Sequence, residues 1–331
     1  EINNVNFDIY RTTIDNSHES NYEMMFIAGI IISIATIIIV SIIVSNHNRK
    51  VDEMYNVDDN SKKNIFMIIA LLYDFGILFV FKYFTFFTGI KSSLTLPLGI
   101  SFYTFQIVSY VIDVYKDKIR AEKNIINLGV YLMMFPQLIA GPIVIYSDIA
   151  RQVRRRSYSL EKFEDGIKVF TLGLGAKMII ANMLGSCWTT AQMYGIEGMS
   201  TPMAWVAMFA YTFQIYFDFY GYSLMAIGLG LMLGFTLPKN FDNPYMSRSA
   251  TEFWRRWHIT LGSWFREYVY IPLGGNRKGQ VRTIFNTFVV WALTGLWHGA
   301  SWNFVLWGII FFVLLTIEKS GFENILDRYK V

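Results

Sequence analysis

Cysteine is nearly absent from this sequence. The lone Cys187 excludes a disulfide framework and any multi-cysteine metal site, and reads as a small apolar residue. Charge is scarce as well: Asp, Glu, Lys and Arg make up 16% of the chain, against roughly 25% in soluble domains. That shortage excludes an ordinary water-soluble globule. Histidine occurs four times. The pair in the C-terminal half, His258 and His298, has no companion ligands in sequence, so no metal site is expected. The glycine-rich turn Y-I-P-L-G-G-N-R-K-G (270–279) lacks the G-K-[ST] of a phosphate loop, which argues against nucleotide hydrolysis. A G-x-S-x-G nucleophile elbow is also missing. The net charge of +4 is distributed over loops rather than gathered on one face, so nucleic acid is not an expected partner.

What the chain has in abundance is apolar and aromatic surface: 53% of its residues are hydrophobic and 17% aromatic. These residues come in blocks. Residues 24–44 form a run of 21 without a charge, and about 20 suffice to span a bilayer. The composition therefore predicts an all-α, multi-pass integral membrane bundle with the lipid bilayer as solvent. Further apolar blocks lie at 65–81, 94–114, 125–146, 169–184, 204–235, 284–297 and 304–317. The block at 204–235 is long enough for one tilted helix or for two segments hinged near Gly221. Basic residues concentrate in 45–64, 115–124, 147–168 and 238–282, which the positive-inside rule places in the cytoplasm. The polar tail 1–23 and the stretch 185–203, which has no Lys or Arg, read as external. Simple crossings cannot satisfy all four basic loops. Two broken or re-entrant segments are needed, one at 125–146, where F-P-Q-L-I-A-G-P interrupts the helix, and one around His298. The polar start makes a cleavable signal peptide unexpected, and an opening Glu suggests a trimmed chain.

The chemistry concentrates in residues 251–311, which hold seven of the nine tryptophans together with His258 and His298. His298 lies between Trp297 and Gly299 in an apolar stretch, where an ionisable group is a functional candidate by default. An imidazole there suits proton transfer near neutral pH; the competing reading is a histidine bonded into a helix junction. Around His258, the spacing of Trp254, Trp257, Leu261 and Trp264 predicts one face of an amphipathic helix. Arg255, Arg256 and Arg266 beside it fit either an interfacial helix against anionic headgroups or guanidinium forks on the phosphates of an acidic cofactor. Three carboxylates, Asp74, Asp113 and Asp218, fall in apolar blocks. Each could sit at a span end or pair with a lysine; Asp113 is expected to pair with Lys116, whereas Asp218 has no basic residue close in sequence.

Five stretches together resemble one family. They are L-P-L-G-I-S-F-Y-T-F-Q (96–106), M-F-P-Q-L-I-A-G-P-I-V (134–144), Q-I-Y-F-D-F-Y-G-Y-S (214–223), N-P-Y-M-S-R-S-A-T-E-F-W-R-R-W-H-I-T-L (243–261) with W-F-R-E-Y-V-Y-I-P-L-G-G (264–275), and L-T-G-L-W-H-G-A-S-W (293–302). The chain is similar to the membrane-bound O-acyltransferases, in the bacterial branch of alginate and peptidoglycan O-acetyltransferases. The resemblance implies a helical bundle of that type with broken helices around a central histidine. The implied activity is acetyl transfer from cytoplasmic acetyl-CoA to an extracytoplasmic acceptor, through a partner protein, for O-acetylation of a cell-envelope or secreted polysaccharide.

By the same resemblance His298 is the general base or proton carrier. His258, with Arg255, Arg256, Trp257 and Arg266, lines the cytoplasmic mouth and holds the donor. Gln214, Asp218, Trp297 and Asn303 are further pocket candidates, and no metal is implied. The expected organisation is a tail at 1–23, N-terminal transmembrane helices at 24–93 and a catalytic core at 94–331 that is incomplete at its C-terminus, in a multi-pass protein of the cell membrane. Three alternatives stand beside this. A D-alanyl-type acyltransferase shares the architecture, a transporter or flippase would tolerate His298→Asn, and an inactive scaffold would tolerate changes at both histidines.

Overall fold

In the computed structural model, residues 60–90, 94, 96–138 and 141–322 are described. The expected tail at 1–23, the span at 24–44 and most of the following loop lie outside them, as do Ile139 and Ala140 of the broken segment. Every regular element among the described residues is helical.

Helix α1 (Asn60–Leu78) runs into a wide π-helical turn, Phe79–Tyr83, and continues as α2 (Phe84–Thr88). The chain then reverses, and α3 (Ile100–Tyr115) packs antiparallel to α1. Tyr115 donates to Asn64 at one end of the pair, and Lys82 donates to Ser101 Oγ at 2.8 Å near the other. Asn124 caps α4 (Ile125–Met133) by accepting from the Ile126 amide.

That helix stops at Met134, whose ψ of 106° is extended, and only the four-residue α5 (Phe135–Leu138) follows. Pro136 sits in the first turn of α5, where its missing N–H costs nothing. Residues 142–144 are non-helical and buried. The expected break within 125–146 is therefore present, with its backbone enclosed by protein as an apolar surround requires. Tyr131 holds it by donating to the Val144 carbonyl at 3.0 Å. Helix α6 (Tyr146–Arg154) follows.

A long hairpin comes next. Helix α7 (Leu160–Gly175), a π turn at Ala176–Ala181 and α8 (Asn182–Gly198) pack against α9 (Thr201–Met232), with a kink at Gly195 (φ 66°). One correction arises here, and one open alternative closes on the single helix. The expected external loop at 185–203 is mostly helix, because its Ser, Thr, Ala and Trp residues continue α8, and only Met199 and Ser200 connect the two helices. The 204–235 block is a single helix, and Gly221 is a contact point rather than a hinge. A Cβ on Gly221 would approach the Gly173 carbonyl to 2.6 Å, and one on Gly228 would approach the Gly166 carbonyl to 2.6 Å. Glycine at both pairs lets the two backbones touch.

Helices α10 (Ala250–Arg256) and α11 (Ile259–Phe265) replace the continuous amphipathic helix expected through His258. His258 adopts a left-handed conformation (φ 44°) and breaks the helix. The 3–4 residue spacing therefore no longer defines one face. Trp254 joins Trp291, Trp307 and Phe311, Trp257 joins Phe241 and Phe253, and Leu261 and Trp264 pack with Phe105. A π turn at Arg266–Tyr270 and a glycine-bearing turn lead into α12 (Gln280–His298), and α13 (Trp302–Ile317) returns beside it.

Four stretches among the described residues are long and apolar enough to cross a membrane: Lys63–Thr88, Leu160–Gly195, Thr201–Met232 and Trp302–Ser320. The basic segments converge at one end. Lys63 pairs with Asp117 at 3.9 Å, Lys118 with Glu267, and Gln152 Oε1 accepts from the Thr236 amide at 2.7 Å. Asp113 meets Lys118 at 3.7 Å rather than the expected Lys116, because left-handed Asp117 (φ 54°) folds the chain back over the end of α3.

Candidate active site

His298 is the last residue of α12, and the chain turns at Gly299 into α13. Its imidazole is exposed, and its neighbours are rings. Trp307 lies edge-on at 4.9 Å between centroids, Trp297 edge-on at 5.0 Å, and Phe304 nearly parallel at 6.3 Å. The close return of α13 depends on small residues, since a Cβ on Gly308 would strike the Trp291 carbonyl.

The end of α12 is held from outside. A helix leaves its last carbonyls without intrahelical partners. Here the Tyr83 hydroxyl donates to the Leu296 carbonyl at 2.9 Å, and the Lys82 ammonium donates to the Trp297 carbonyl. The π turn presents these two consecutive residues to the same helix end, immediately before His298. A cation at a helix C-terminus is also favoured by the helix dipole. Neither residue stood out in the sequence, where Lys82 reads as the flank of a turn.

His258 is built the opposite way. It is 2% exposed. Its Nδ1 lies 2.9 Å from Asn240 Oδ1, and Nε2 is buried without a partner among the described residues. Asn240, itself 1% exposed, is the hub: its Oδ1 also accepts from the Thr260 hydroxyl at 2.9 Å, and its Nδ2 donates to Ser223 Oγ at 2.8 Å. Thr260 Oγ1 in turn accepts from the Ile143 amide at 2.9 Å. This network ties together three of the resembling stretches, at 134–144, 214–223 and 243–261.

Trp297 connects the two histidines. Its ring is 6.0 Å from His258 and 5.0 Å from His298 between centroids, and its indole N–H is buried without a partner among the described residues. The stretch at 96–106 backs it through Phe102 and Phe105, at 5.5 and 5.8 Å. All five stretches, dispersed over two hundred residues of sequence, thus meet around one indole and two imidazoles.

The other candidates divide. Arg256 is engaged by Glu252 at 2.6 Å, whereas Arg255 and Arg266 are exposed and make no ion pair among the described residues. Trp257 is half-buried and packed among Phe241, Phe253 and Phe219. Asp218 pairs with Lys177, across α9 and the π turn at Ala176–Ala181. Gln214, one turn earlier on α9, has a buried side-chain oxygen without a partner. Asn303 is exposed at the start of α13.

Comparison with known proteins bears on this arrangement. Residues 116–325 match the family model for MBOAT, the membrane-bound O-acyltransferase family. The chain belongs to this family. It is 43% identical over 268 residues, 77% of its length, to a protein of Pseudomonas syringae pv. tomato named probable alginate O-acetylase AlgI, covering 51% of that protein. The like-named protein of Pseudomonas fluorescens is 46% identical over 231 residues, 70% of this chain and 46% of that one. A peptidoglycan O-acetyltransferase of Helicobacter pylori is 34% identical over 310 residues, 81% of this chain and 58% of that one. The chain spans about half the length of these curated relatives. As a member of the MBOAT family it is a membrane protein of a family that uses acyl donors.

Proposed function

We propose that this chain belongs to a membrane O-acetyltransferase that moves an acetyl group from cytoplasmic acetyl-CoA to an extracytoplasmic acceptor, for O-acetylation of a cell-envelope or secreted polysaccharide. The observation that carries this reading is the pair of imidazoles on either side of Trp297, one accessible and one buried with a free ring nitrogen. In the proposed step the acceptor oxygen attacks the thioester carbonyl carbon, the C–O bond forms and the C–S bond breaks. His298 takes the hydroxyl proton and returns it to the departing thiolate, so protons balance. The exposed Arg255 and Arg266 are the candidates for the donor's phosphates, since guanidinium groups match phosphate geometry. Arg256, already paired with Glu252, supports the loop instead. The proposal includes a catalytic core at 94–331 preceded by N-terminal transmembrane helices at 24–93 and an external tail at 1–23, in a multi-pass protein of the cell membrane. It also includes an extracytoplasmic protein that receives or relays the acetyl group. The AlgI-named and peptidoglycan O-acetyltransferase relatives support the polysaccharide class.

The test is acetyl release from radiolabelled acetyl-CoA by the protein in liposomes, wild type beside His298→Ala. Turnover in the wild type that vanishes in the variant while acetyl-CoA still binds is the expected result. Equal turnover in both would move the chemistry away from His298. Transfer of D-alanine but not acetyl would assign the chain to the sister activity.

A further inference from the structure

The buried polar cluster at the junction of α9, the 233–249 segment and α11 fixes more than the position of His258. Asn240 Oδ1 faces the Thr260 amide at 3.4 Å and the Thr260 hydroxyl at 2.9 Å. A backbone N–H can only donate, so the Asn240 atom that faces it must be the oxygen. The Thr260 hydroxyl already accepts from the Ile143 amide, which frees its proton for the same oxygen. On the other side Asn240 Nδ2 points at Ser223 Oγ. Flipping the amide would set its NH2 against the Thr260 N–H, donor against donor. The assignment of oxygen to the His258 side is therefore determined by the network.

An amide oxygen cannot donate, so the hydrogen in the 2.9 Å contact belongs to His258 Nδ1. In a neutral imidazole the other nitrogen then carries only a lone pair. That nitrogen, Nε2, is buried with no partner among the described residues. A buried acceptor left unsatisfied is costly, which points to a donor beyond the described residues that completes it. The backbone is committed to this arrangement too. His258 is one of three non-glycine residues with positive φ among the described residues, and its neighbour Ile259 donates its amide to the Asn240 carbonyl at 2.9 Å.

We propose that Asn240 is a positioning residue for acyl transfer: it locks His258 in the Nδ1–H tautomer, so that Nε2 accepts a hydrogen bond from a donor group of a substrate. The inference rests on the acyltransfer reading above for its substrates, but not for the tautomer. A lone pair selects the partner by polarity. The thioester carbonyl and phosphate oxygens are acceptors and are refused. An O–H of the acceptor or an amide N–H of the acyl donor's pantetheine arm is accepted. Trp297 offers the complement, an unpartnered buried N–H that can serve only an acceptor such as the thioester carbonyl oxygen. Donor and acceptor atoms are thus carried by two rings whose centroids are 6.0 Å apart.

The experiment combines spectroscopy with kinetics on the reconstituted protein. Nitrogen NMR of protein labelled only at histidine separates protonated from unprotonated ring nitrogens. With four histidines in the chain, the His258 signals are identified as those lost in His258→Asn. The wild type is expected to show a protonated Nδ1 and a bare Nε2. A protonated Nε2 in the wild type would overturn the proposal whatever the activity.

Asn240→Leu is expected to release the tautomer and lower kcat at least tenfold, and Asn240→Asp, which keeps an acceptor at the same place, to restore both in large part. Wild-type tautomer and turnover in Asn240→Leu would overturn it as well. If that variant does not fold, the wild-type spectrum decides. The KM that rises in His258→Asn identifies the source of the donor group: the acceptor's KM indicates a hydroxyl, that of acetyl-CoA an amide. A wild type with the expected spectrum but no turnover would count against the acyltransfer reading and leave the tautomer intact.

Discussion

The surroundings of His258 and His298 are opposites, though one indole touches both. His258 is enclosed by hydrogen bonds, with its ring nitrogen, its neighbour's amide and the hub amide of Asn240 all specified. His298 has rings around its imidazole and no hydrogen-bond partner among the described residues, and its position is set through the backbone, by Lys82 and Tyr83 on the preceding carbonyls. The lesson is that a side chain can be placed by bonding it or by bonding the helix end it hangs from. The second way leaves the imidazole free of competing partners, as a group that must take up and release a proton requires. It also leaves the ring accessible to a substrate.

Variants at each site probe this difference, and the largest effect is expected at His298. His298→Ala should lower turnover by a factor on the order of 10²–10⁴, the range for a lost acid–base group. Its melting temperature should stay near wild type, because no hydrogen bond of the imidazole is lost; a large drop in stability would show that the ring is structural.

His258→Ala should instead cost both. Removing the ring takes one donor from buried Asn240, worth about 1–3 kcal/mol, and denaturant titration of the two alanine variants side by side checks the contrast. Lys82→Met comes next. It leaves the Trp297 carbonyl without its charged donor, for which a loss of about 1.5–3 kcal/mol is expected. Turnover should fall about tenfold through displacement of His298, while the KM for acetyl-CoA changes little. Unchanged turnover in Lys82→Met would separate the helix cap from the site.

The smallest effect is remote from both histidines. Burial works to raise the Glu122 carboxyl, but hydrogen bonds from Tyr146, the Asn124 amide and Arg154, with the Arg154 charge, outweigh it and hold the group below the usual carboxylate range. A group depressed in the folded state contributes stability above its unfolded value, near ~4.3 for Glu, and loses it as pH falls through the lower folded value. Melting curves from pH 7 down to pH 3 should therefore fall less steeply in Glu122→Gln than in wild type. Identical slopes would remove this carboxylate from the acid response.

Much of this was legible in the sequence, for physical reasons. The helical blocks showed as long apolar runs. The break in 125–146 showed because proline and glycine interrupt helices regardless of context, and His298 stood out as a candidate because an imidazole is costly in apolar surroundings. Three features were hidden. The break at His258 depends on a left-handed histidine, a conformation that most sequences with the same aromatic spacing would not adopt. Lys177, the partner of Asp218, stands 41 residues away, and the Lys82 contact with Trp297 spans 215 residues. Pairings at such separations leave no local pattern. Asn240 lay outside the five stretches, in a segment that reads as plain loop, and it is fixed by partners from two other parts of the chain, Ser223 and His258–Thr260.

The π turn at Phe79–Tyr83 has a consequence for how this protein can vary. Each residue added to a helical turn rotates everything after it by about 100° relative to what came before. Leu71 and Leu78 lie on the face turned toward the core, while Lys82 and Tyr83 point to the end of α12. The turn is what reconciles the two aims within one continuous helix. Removing a single residue there would leave hydrophobicity and length almost unchanged, yet swing the two capping groups away from their carbonyls. At Phe79, Val80 and Phe81 the turn tolerates substitution far better than deletion, whereas Lys82 and Tyr83 must keep both their place and their capping groups.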